Sequence, residues 1–141
     1  MAVTKVRDLM TRQVETLLVG ETLDLAKGVM NIERIRHLPV VDRNEQLVGL
    51  ITQSDILSAW VSRSDPTSET FDQVAAEIPV EMIMIKDVAS VGPDTRASEA
   101  GRILLDRKFG CLPVVENGKL VGIVTDTDFV RFACEHFAKE S

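Results

Sequence analysis

A hydroxyl and a carboxylate stand three residues apart at two places in the chain, Thr52 with Asp55 and Thr125 with Asp128. Each pair follows an apolar run typical of a strand and opens a segment with helical periodicity. The first turn of a helix offers unpaired N–H groups that can bind phosphate. A carboxylate beside them can accept two hydrogen bonds from a ribose diol, as in dinucleotide-binding folds. The two motifs therefore indicate nucleotide binding.

The same spacing is also that of a capping box, in which the hydroxyl and the acid bond reciprocally to free backbone N–H groups. The two interpretations are compatible, because Thr52 can cap the helix while Asp55 points outward to a ligand. Ser54 and Thr127 present further hydroxyls at equivalent positions.

A proline-containing stretch precedes each motif and forms the second candidate element. Proline fixes φ and lacks an N–H, so neighbouring backbone groups are free to read the flat edge of a base. The alternative is an edge strand that needs no partner there. Only the first copy carries basic residues, so the two sites are expected to differ in affinity or in phosphate preference. The two stretches are Arg36-His37-Leu38-Pro39 and Gly110-Cys111-Leu112-Pro113.

Other reactive side chains indicate little chemistry. Arg131 follows Asp128 by one helical turn and either reaches a phosphate or lies on a solvated helix face. Cys111 and Cys134 lack the spacing of a metal site or a redox pair, so we expect buried or idle thiols in a reduced, cytoplasmic protein. Motifs for serine hydrolases, zinc proteases and phosphate loops are missing. The chain is therefore predicted to be neither an enzyme nor a metal-binding protein.

Charge and hydropathy narrow the class further. The net charge of −6 argues against nonspecific nucleic-acid binding, which needs a basic face. Charged residues interrupt the first 16 positions, so no signal peptide is expected. No apolar run approaches the roughly 20 residues that span a bilayer, so no membrane insertion is expected.

The elements that position these motifs occur twice. HLPVVD at 37–42 returns as CLPVVE at 111–116, and LVGLITQSD at 47–55 returns as LVGIVTDTD at 120–128. The offset is 74 for the first pair and 73 for the second. Repeats of about 55 residues are marginal for a private core, so the two are expected to fold together around an approximate two-fold.

Hydrophobic periodicity predicts the order β-α-β-β-α in each repeat. A two-residue hairpin turn is expected at Asn117-Gly118, where both positions tolerate positive φ. The predicted domains are repeat 1 at 1–62, a linker at 63–79 and repeat 2 at 80–141. The predicted elements are a helical turn at 6–10, a strand at 14–17, a helix at 22–34, strands at 38–41 and 46–51, a helix at 54–62, a turn at 80–85, a strand at 88–91, a helix at 95–108, strands at 111–115 and 119–124, and a helix at 126–139.

The order of motifs resembles the cystathionine-β-synthase (CBS) domain, twice. The resemblance is carried by VRDLMT at 6–11, HLPVVD at 37–42 and LVGLIT-x-x-D at 47–55, and by their second copies between 80 and 128. It implies an α/β fold of two tandem repeats, related by a pseudo-two-fold and packed through their sheets. The chain is then similar to a free-standing CBS pair, or Bateman module.

The resemblance also implies a function. CBS pairs are regulatory modules that bind AMP, ADP, ATP or S-adenosylmethionine in clefts between the repeats, with no cofactor required. It places a ribose on Asp55 in one cleft and on Asp128 in the other. It further implies a homodimer and a regulated protein of unknown identity. The remaining implied contacts are Thr52 and Thr125 near the ribose or phosphate, backbone at His37-Leu38 and Cys111-Leu112 facing the adenine, and Thr16 and Ser90 at the side.

One departure from the family pattern concerns the start of the second repeat. The segment Glu81-Met82-Ile83-Met84-Ile85-Lys86 lacks the small polar residue that usually follows methionine. Of the two sites, the one with Asp128 and Arg131 is preferred. The alternative function is a protein-interaction module with vestigial clefts that docks on an enzyme or transporter.

Overall fold

The structure is a computed structural model that describes residues 3–63, 71–107 and 110–140. It is a mixed α/β fold with two sheets, which confirms the predicted class. A short 3₁₀ helix spans Val80–Met82. The other elements are α1 Val6–Leu9, β1 Leu17–Leu18, α2 Leu23–Glu33, β2 His37–Val41, β3 Leu47–Thr52, α3 Gln53–Arg63, α4 Phe71–Ala75, α5 Ala97–Arg107, β4 Cys111–Glu116, β5 Lys119–Thr125 and α6 Asp126–Ala138.

The chain forms two compact units whose boundaries differ from those of the sequence repeats. The Asp55 unit comprises Glu15–Val88, and the Asp128 unit comprises Met1–Val14 together with Ala89–Ser141. The start of each repeat therefore folds with the body of the other repeat. We call residues 4–14 the first leading segment and residues 78–88 the second leading segment.

In the Asp55 unit, β1, β2 and β3 form a sheet in that order. Strand β1 runs parallel to β2, and β2 is antiparallel to β3. The second leading segment adds to the outer edge of β3, where Leu50 and Ile85 exchange backbone hydrogen bonds of 2.9 and 2.8 Å. Helix α2 packs on this sheet because its apolar residues recur at helical spacing. The buried side chains of α2 are Leu23, Ala26 and Met30.

The Asp128 unit repeats this plan with a shorter first strand. Strands β4 and β5 pair antiparallel, and Thr11 joins the outer edge of β5 by two backbone bonds with Ile123, at 2.8 and 2.9 Å. The strand predicted at 88–91 is wrong in extent, since only Val91 pairs, in one parallel bridge with Val114. Pro93 follows closely and has no N–H to continue the ladder. In the first repeat the corresponding strand is Leu17–Leu18 instead of 14–17.

The two strand prolines do not lie on an unpartnered edge, so the edge-strand interpretation of these stretches is wrong. Pro113 lies opposite Ile123, but Ile123 uses its N–H and C=O on Thr11. Pro113 therefore occupies a non-hydrogen-bonded pair and faces the other neighbour, where its carbonyl accepts the Val91 N–H at 3.1 Å. The missing proline N–H is tolerated because that neighbouring strand is one residue long.

Both leading segments are anchored in the same way. Val6 donates its N–H to Thr95 O, and Val80 donates to Glu21 O, each at 2.8 Å. Both valine side chains are fully buried. Burial of one valine contributes about 1.5–3 kcal/mol. Backbone pairing and burial thus fix these segments.

An exposed ion pair adds to the first anchor. Arg7 Nε donates to Asp94 Oδ1 at 3.1 Å, and this bond lowers the pKa of the Asp94 carboxyl below its ordinary value. Exposed pairs of this kind contribute little to stability, so the first anchor depends mainly on the backbone bond and the burial of Val6.

A glycine is required in the last strand of each unit, at Gly49 in β3 and at Gly122 in β5. A Cβ built on Gly122 would lie 2.8 Å from Met10 Sδ and 3.0 Å from the carbonyl oxygen of Thr11. The equivalent Gly49 is overlaid by the side chain of Met84. Each leading segment therefore crosses its strand where a side chain is missing.

The hairpin turn predicted at Asn117-Gly118 is confirmed, with φ of 54° and 83° at the two residues. Within the described residues, no helix is both long and apolar enough to cross a membrane.

Candidate functional site

The two hydroxyl–carboxylate motifs lie at equivalent junctions between a strand and a helix. Thr52 ends β3 immediately before α3, and Thr125 ends β5 immediately before α6. In both, the threonine hydroxyl accepts from the backbone N–H of the acid, at 3.1 Å for Asp55 and 3.3 Å for Asp128. The acid accepts in return from the threonine N–H, at 3.3 and 2.8 Å. Both motifs are therefore capping boxes, as the structural interpretation predicted.

Asp128 is buried, with 4% of its surface exposed, and its carboxylate is fully used inside the unit. Oδ2 accepts from the N–H and hydroxyl of Thr125, at 2.8 and 3.2 Å. Oδ1 accepts from the Thr11 hydroxyl at 3.3 Å and from Arg131 Nη1 at 3.0 Å. A carboxylate offers about four acceptor positions, and all of them are occupied here.

Asp55 is less enclosed. It is half-buried, and the hydrogen bonds of its carboxylate to other described residues both join Oδ2 to Thr52, from the N–H at 3.3 Å and from the hydroxyl at 2.8 Å. The positions equivalent to Thr11 and Arg131 hold Ile85 and Ser58, neither of which carries a positive charge. Among the described residues Asp128 has an ion pair that a diol would have to break, and Asp55 has none.

Arg131 lies on an exposed helix face, as one of the two sequence interpretations held. Its side chain is 60% exposed, as on a solvated helix face, and it is ion-paired to Asp128. A guanidinium carries five N–H donors, and the pair with Asp128 uses one of them. The rest of this cation can meet an anion that approaches α6.

The leucine and proline side chains of the two proline-containing stretches are buried. Leu38, Pro39, Leu112 and Pro113 are completely buried in the cores of their units, so they cannot present side chains to a ligand. His37 and Cys111 lie opposite Thr52 and Thr125 across their hairpins.

The remaining predicted residues divide by exposure. Gly110, just before β4, is half-buried. Arg36 is exposed, and its carbonyl accepts the Gln53 N–H at 2.9 Å. Contacts to the carboxylates are not seen for these residues or for the exposed hydroxyls of Thr16, Ser54, Ser90 and Thr127 within the described part of the chain.

Cys111 is a buried thiol, as one sequence interpretation held. Burial raises its pKa to about 12, and the negative charge of Asp126 adds to this shift. The thiolate is the reactive form of cysteine, so Cys111 is protonated and unreactive at neutral pH. Cys134 is exposed on α6. Among the described residues, no cluster of three or more histidine, cysteine, aspartate or glutamate side chains is arranged to hold a metal ion.

Sequence reasoning missed Thr11 as a partner of Asp128, 117 residues away. The signal was present in the offset of the repeats: Thr11 and Ile85 are equivalent, and each pairs with the last strand of its unit. A difference between equivalent positions in two similar units marks where the two sites diverge.

Comparisons with known proteins agree with this double arrangement. The family model of the CBS domain matches residues 6–62 and 80–135. A Methanocaldococcus jannaschii protein, MJ1225, is 30% identical over 89% of the chain, and a Methanococcoides burtonii homoserine O-acetyltransferase is 34% identical over 91%. The chain spans only 41% and 24% of the lengths of these two relatives.

Solved structures resemble nearly the whole chain. A Vibrio cholerae protein named for acetoin utilization (AcuB) is 41% identical, with a TM-score of 0.85 over 99% of this chain and 98% of its own. CBSX2 in complex with AMP is 28% identical, with a TM-score of 0.79 over 94% and 97%. The CBS domain pair of protein MJ0100, in complex with 5′-methylthioadenosine and S-adenosylmethionine, is 26% identical, with a TM-score of 0.77 over 92% and 99%. Two family matches and these structures show that the chain belongs to the CBS domain family and carries a pair of CBS domains.

Proposed function

We propose that the chain is a regulatory module that senses an adenosine compound at the two strand–helix junctions. The observation that carries the proposal is the pair of equivalent junctions, each of which holds a carboxylate at a capped helix start. CBS pairs of the same fold have been solved with AMP, 5′-methylthioadenosine and S-adenosylmethionine. AMP, ADP, ATP and S-adenosylmethionine are therefore the candidate ligands.

The chemistry of recognition follows from the residues at each junction. A ribose diol donates two hydrogen bonds to a carboxylate, and hydrogen bonds to a charged group contribute about 1.5–3 kcal/mol each. The exposed guanidinium of Arg131 is available to a phosphate beside Asp128. Arg36, which is exposed just before β2, would supply the corresponding charge in the Asp55 unit. Backbone at His37-Leu38 and Cys111-Leu112 would face the base.

A thermal-shift titration with AMP, ATP, 5′-methylthioadenosine and S-adenosylmethionine tests the proposal. A ligand that binds only the folded chain stabilises it by about 2.7 kcal/mol at 100 times its dissociation constant. For a chain of this size, that corresponds to a rise in Tm of about 5–10 °C. GTP is the matched control, because it offers the same triphosphate and ribose with a different base.

A chain whose Tm does not respond to any adenosine compound would contradict nucleotide sensing. That outcome would favour the alternative function, a module that docks on an enzyme or transporter and whose sites are vestigial. Equal shifts with GTP and ATP would show that the site reads phosphate and ribose without reading adenine.

We also propose that the module works as a cytoplasmic homodimer that acts on a separate regulated protein. Apolar side chains suited to self-association lie exposed at equivalent positions of α3 and α6, with Leu57 and Val130 each 62% exposed. On α6, Val130 and Phe137 lie seven residues apart on one helix face and are 62% and 61% exposed, and an exposed apolar patch of this kind can mark an interface. A single species of 15.6 kDa in sedimentation at micromolar concentration would contradict the dimer.

A further inference from the structure

The two sites differ in how their carboxylates are connected to the rest of the unit. Ligand binding at Asp128 requires Oδ1, because Oδ2 is committed to the cap of α6 through Thr125. Oδ1 is already occupied by the Thr11 hydroxyl and by Arg131. A diol that donates two hydrogen bonds to this oxygen must displace both.

Displacing Arg131 and displacing Thr11 have different consequences. The Arg131 side chain is exposed, so it can turn to a bound phosphate or to water. The Thr11 side chain belongs to the first leading segment, and its backbone is paired with Ile123 on the edge of β5. Three residues after Thr11, the chain passes from the Asp128 unit at Val14 into the Asp55 unit at Glu15.

We propose that Thr11 connects ligand binding at Asp128 to this crossing of the chain, so that an adenosine compound on Asp128 releases the end of the first leading segment. This proposal rests on the function proposed above, and it identifies Thr11 as the residue that couples ligand binding at Asp128 to the chain crossing. The Asp55 site lacks the connection, since Ile85 at the equivalent position has no hydroxyl to donate. Ligand binding at Asp128 thus changes the chain where it passes from one unit to the next. Ligand binding at Asp55 does not cause this change.

The released portion is short. Val6 is fully buried and hydrogen-bonded to Thr95, and the Thr4 carbonyl accepts the Ala97 N–H at 2.9 Å. These anchors do not depend on Asp128. Release therefore extends from Thr11 toward Val14 and leaves α1 in place.

The test is a Thr11→Val variant titrated with AMP by calorimetry, in an Asp55→Asn background so that one site is observed. Valine keeps the β-branched shape at the edge of β5 and removes the hydroxyl. Because the ligand no longer competes with Thr11, the affinity for AMP is expected to rise about threefold to tenfold. Thr4→Val is the matched control, because the same change in the same segment leaves Asp128 untouched, and its AMP affinity is expected to stay unchanged.

Amide hydrogen exchange gives a second readout. With AMP bound, the Thr11 and Ile123 amides, which bond to each other's carbonyls, are expected to exchange faster while the Val6 amide is unchanged. In Thr11→Val the effect of AMP on these amides should vanish. A role of Thr11 in folding alone would lower Tm without raising the affinity.

Unchanged or weaker AMP binding by Thr11→Val, or slower exchange at Thr11 when AMP binds, would overturn this inference and leave nucleotide sensing intact. Tighter AMP binding in Thr11→Val than in Thr4→Val would support it. If AMP binds neither variant nor the unsubstituted chain, the proposed function fails for this nucleotide and the inference fails with it.

Discussion

Replacing Asp128 with alanine is expected to lower the free energy of unfolding by about 2 kcal/mol and to weaken AMP binding at that site tenfold or more. The buried carboxylate accepts four hydrogen bonds, and loss of a capping partner at a helix start costs about 0.5–2 kcal/mol. Without the carboxylate, the ribose diol also loses its charged acceptor. Urea unfolding and calorimetry measure the two effects separately.

The Asp55→Ala variant separates the effect on stability from the effect on AMP binding. Asp55 is half-buried, and its carboxylate bonds only to Thr52 among the described residues. We expect a smaller loss of stability and a similar loss of AMP binding at its own site. If Asp128→Ala unfolds more easily but its AMP isotherm matches that of the unsubstituted chain, Asp128 is a cap and the site assignment is wrong.

Replacing Gly122 with alanine is expected to destabilise the chain by about 1–3 kcal/mol, a fall in Tm of about 3–10 °C. The added methyl would lie 2.8 Å from Met10 Sδ and 3.0 Å from Thr11 O. The methionine side chain can turn away, but the carbonyl oxygen belongs to a backbone that is hydrogen-bonded to β5. The first leading segment must therefore shift outward, and thermal unfolding monitored by circular dichroism would report the loss.

The matched control is Gly28→Ala. Gly28 lies inside α2, and a Cβ there would have no atom within 4 Å. Alanine is favoured over glycine in a helix by about 0.8–1 kcal/mol, so this variant is expected to raise Tm slightly. If Gly122→Ala and Gly28→Ala moved Tm in the same direction, the packing of Met10 on β5 would not explain the glycine.

Local patterns identified much of this fold from the sequence. The apolar runs of both hairpins, the turn at Asn117-Gly118 and the amphipathic helices follow from periodicity and from residues that tolerate positive φ. The capping boxes at Asp55 and Asp128 were also recognisable, because the partners are three residues apart. Such features depend on residues that are close in the sequence, so they can be predicted without the tertiary structure.

Other predictions were wrong where a segment distant in the sequence determined the strand pairing. The prolines at 39 and 113 indicated a free edge, but the neighbour of Pro113 is Val91, which bonds to its carbonyl. The strand expected at 88–91 was cut to one paired residue, which Gly92 and Pro93 follow directly. In both cases strand pairing ends where the segment at 88–93 has no further N–H group in position to donate.

The sequence by itself determined the repeated elements, the helix starts and the family, because each rests on short-range spacing that occurs twice. Only the tertiary structure decided which leading segment folds with which unit and which acid is already occupied. Thr11 and Asp128 are 117 residues apart, and no local pattern states that a hydroxyl at one will reach a carboxylate at the other. The backbone pairing of Thr11 with Ile123 brings them together, and it makes two nearly identical motifs chemically different.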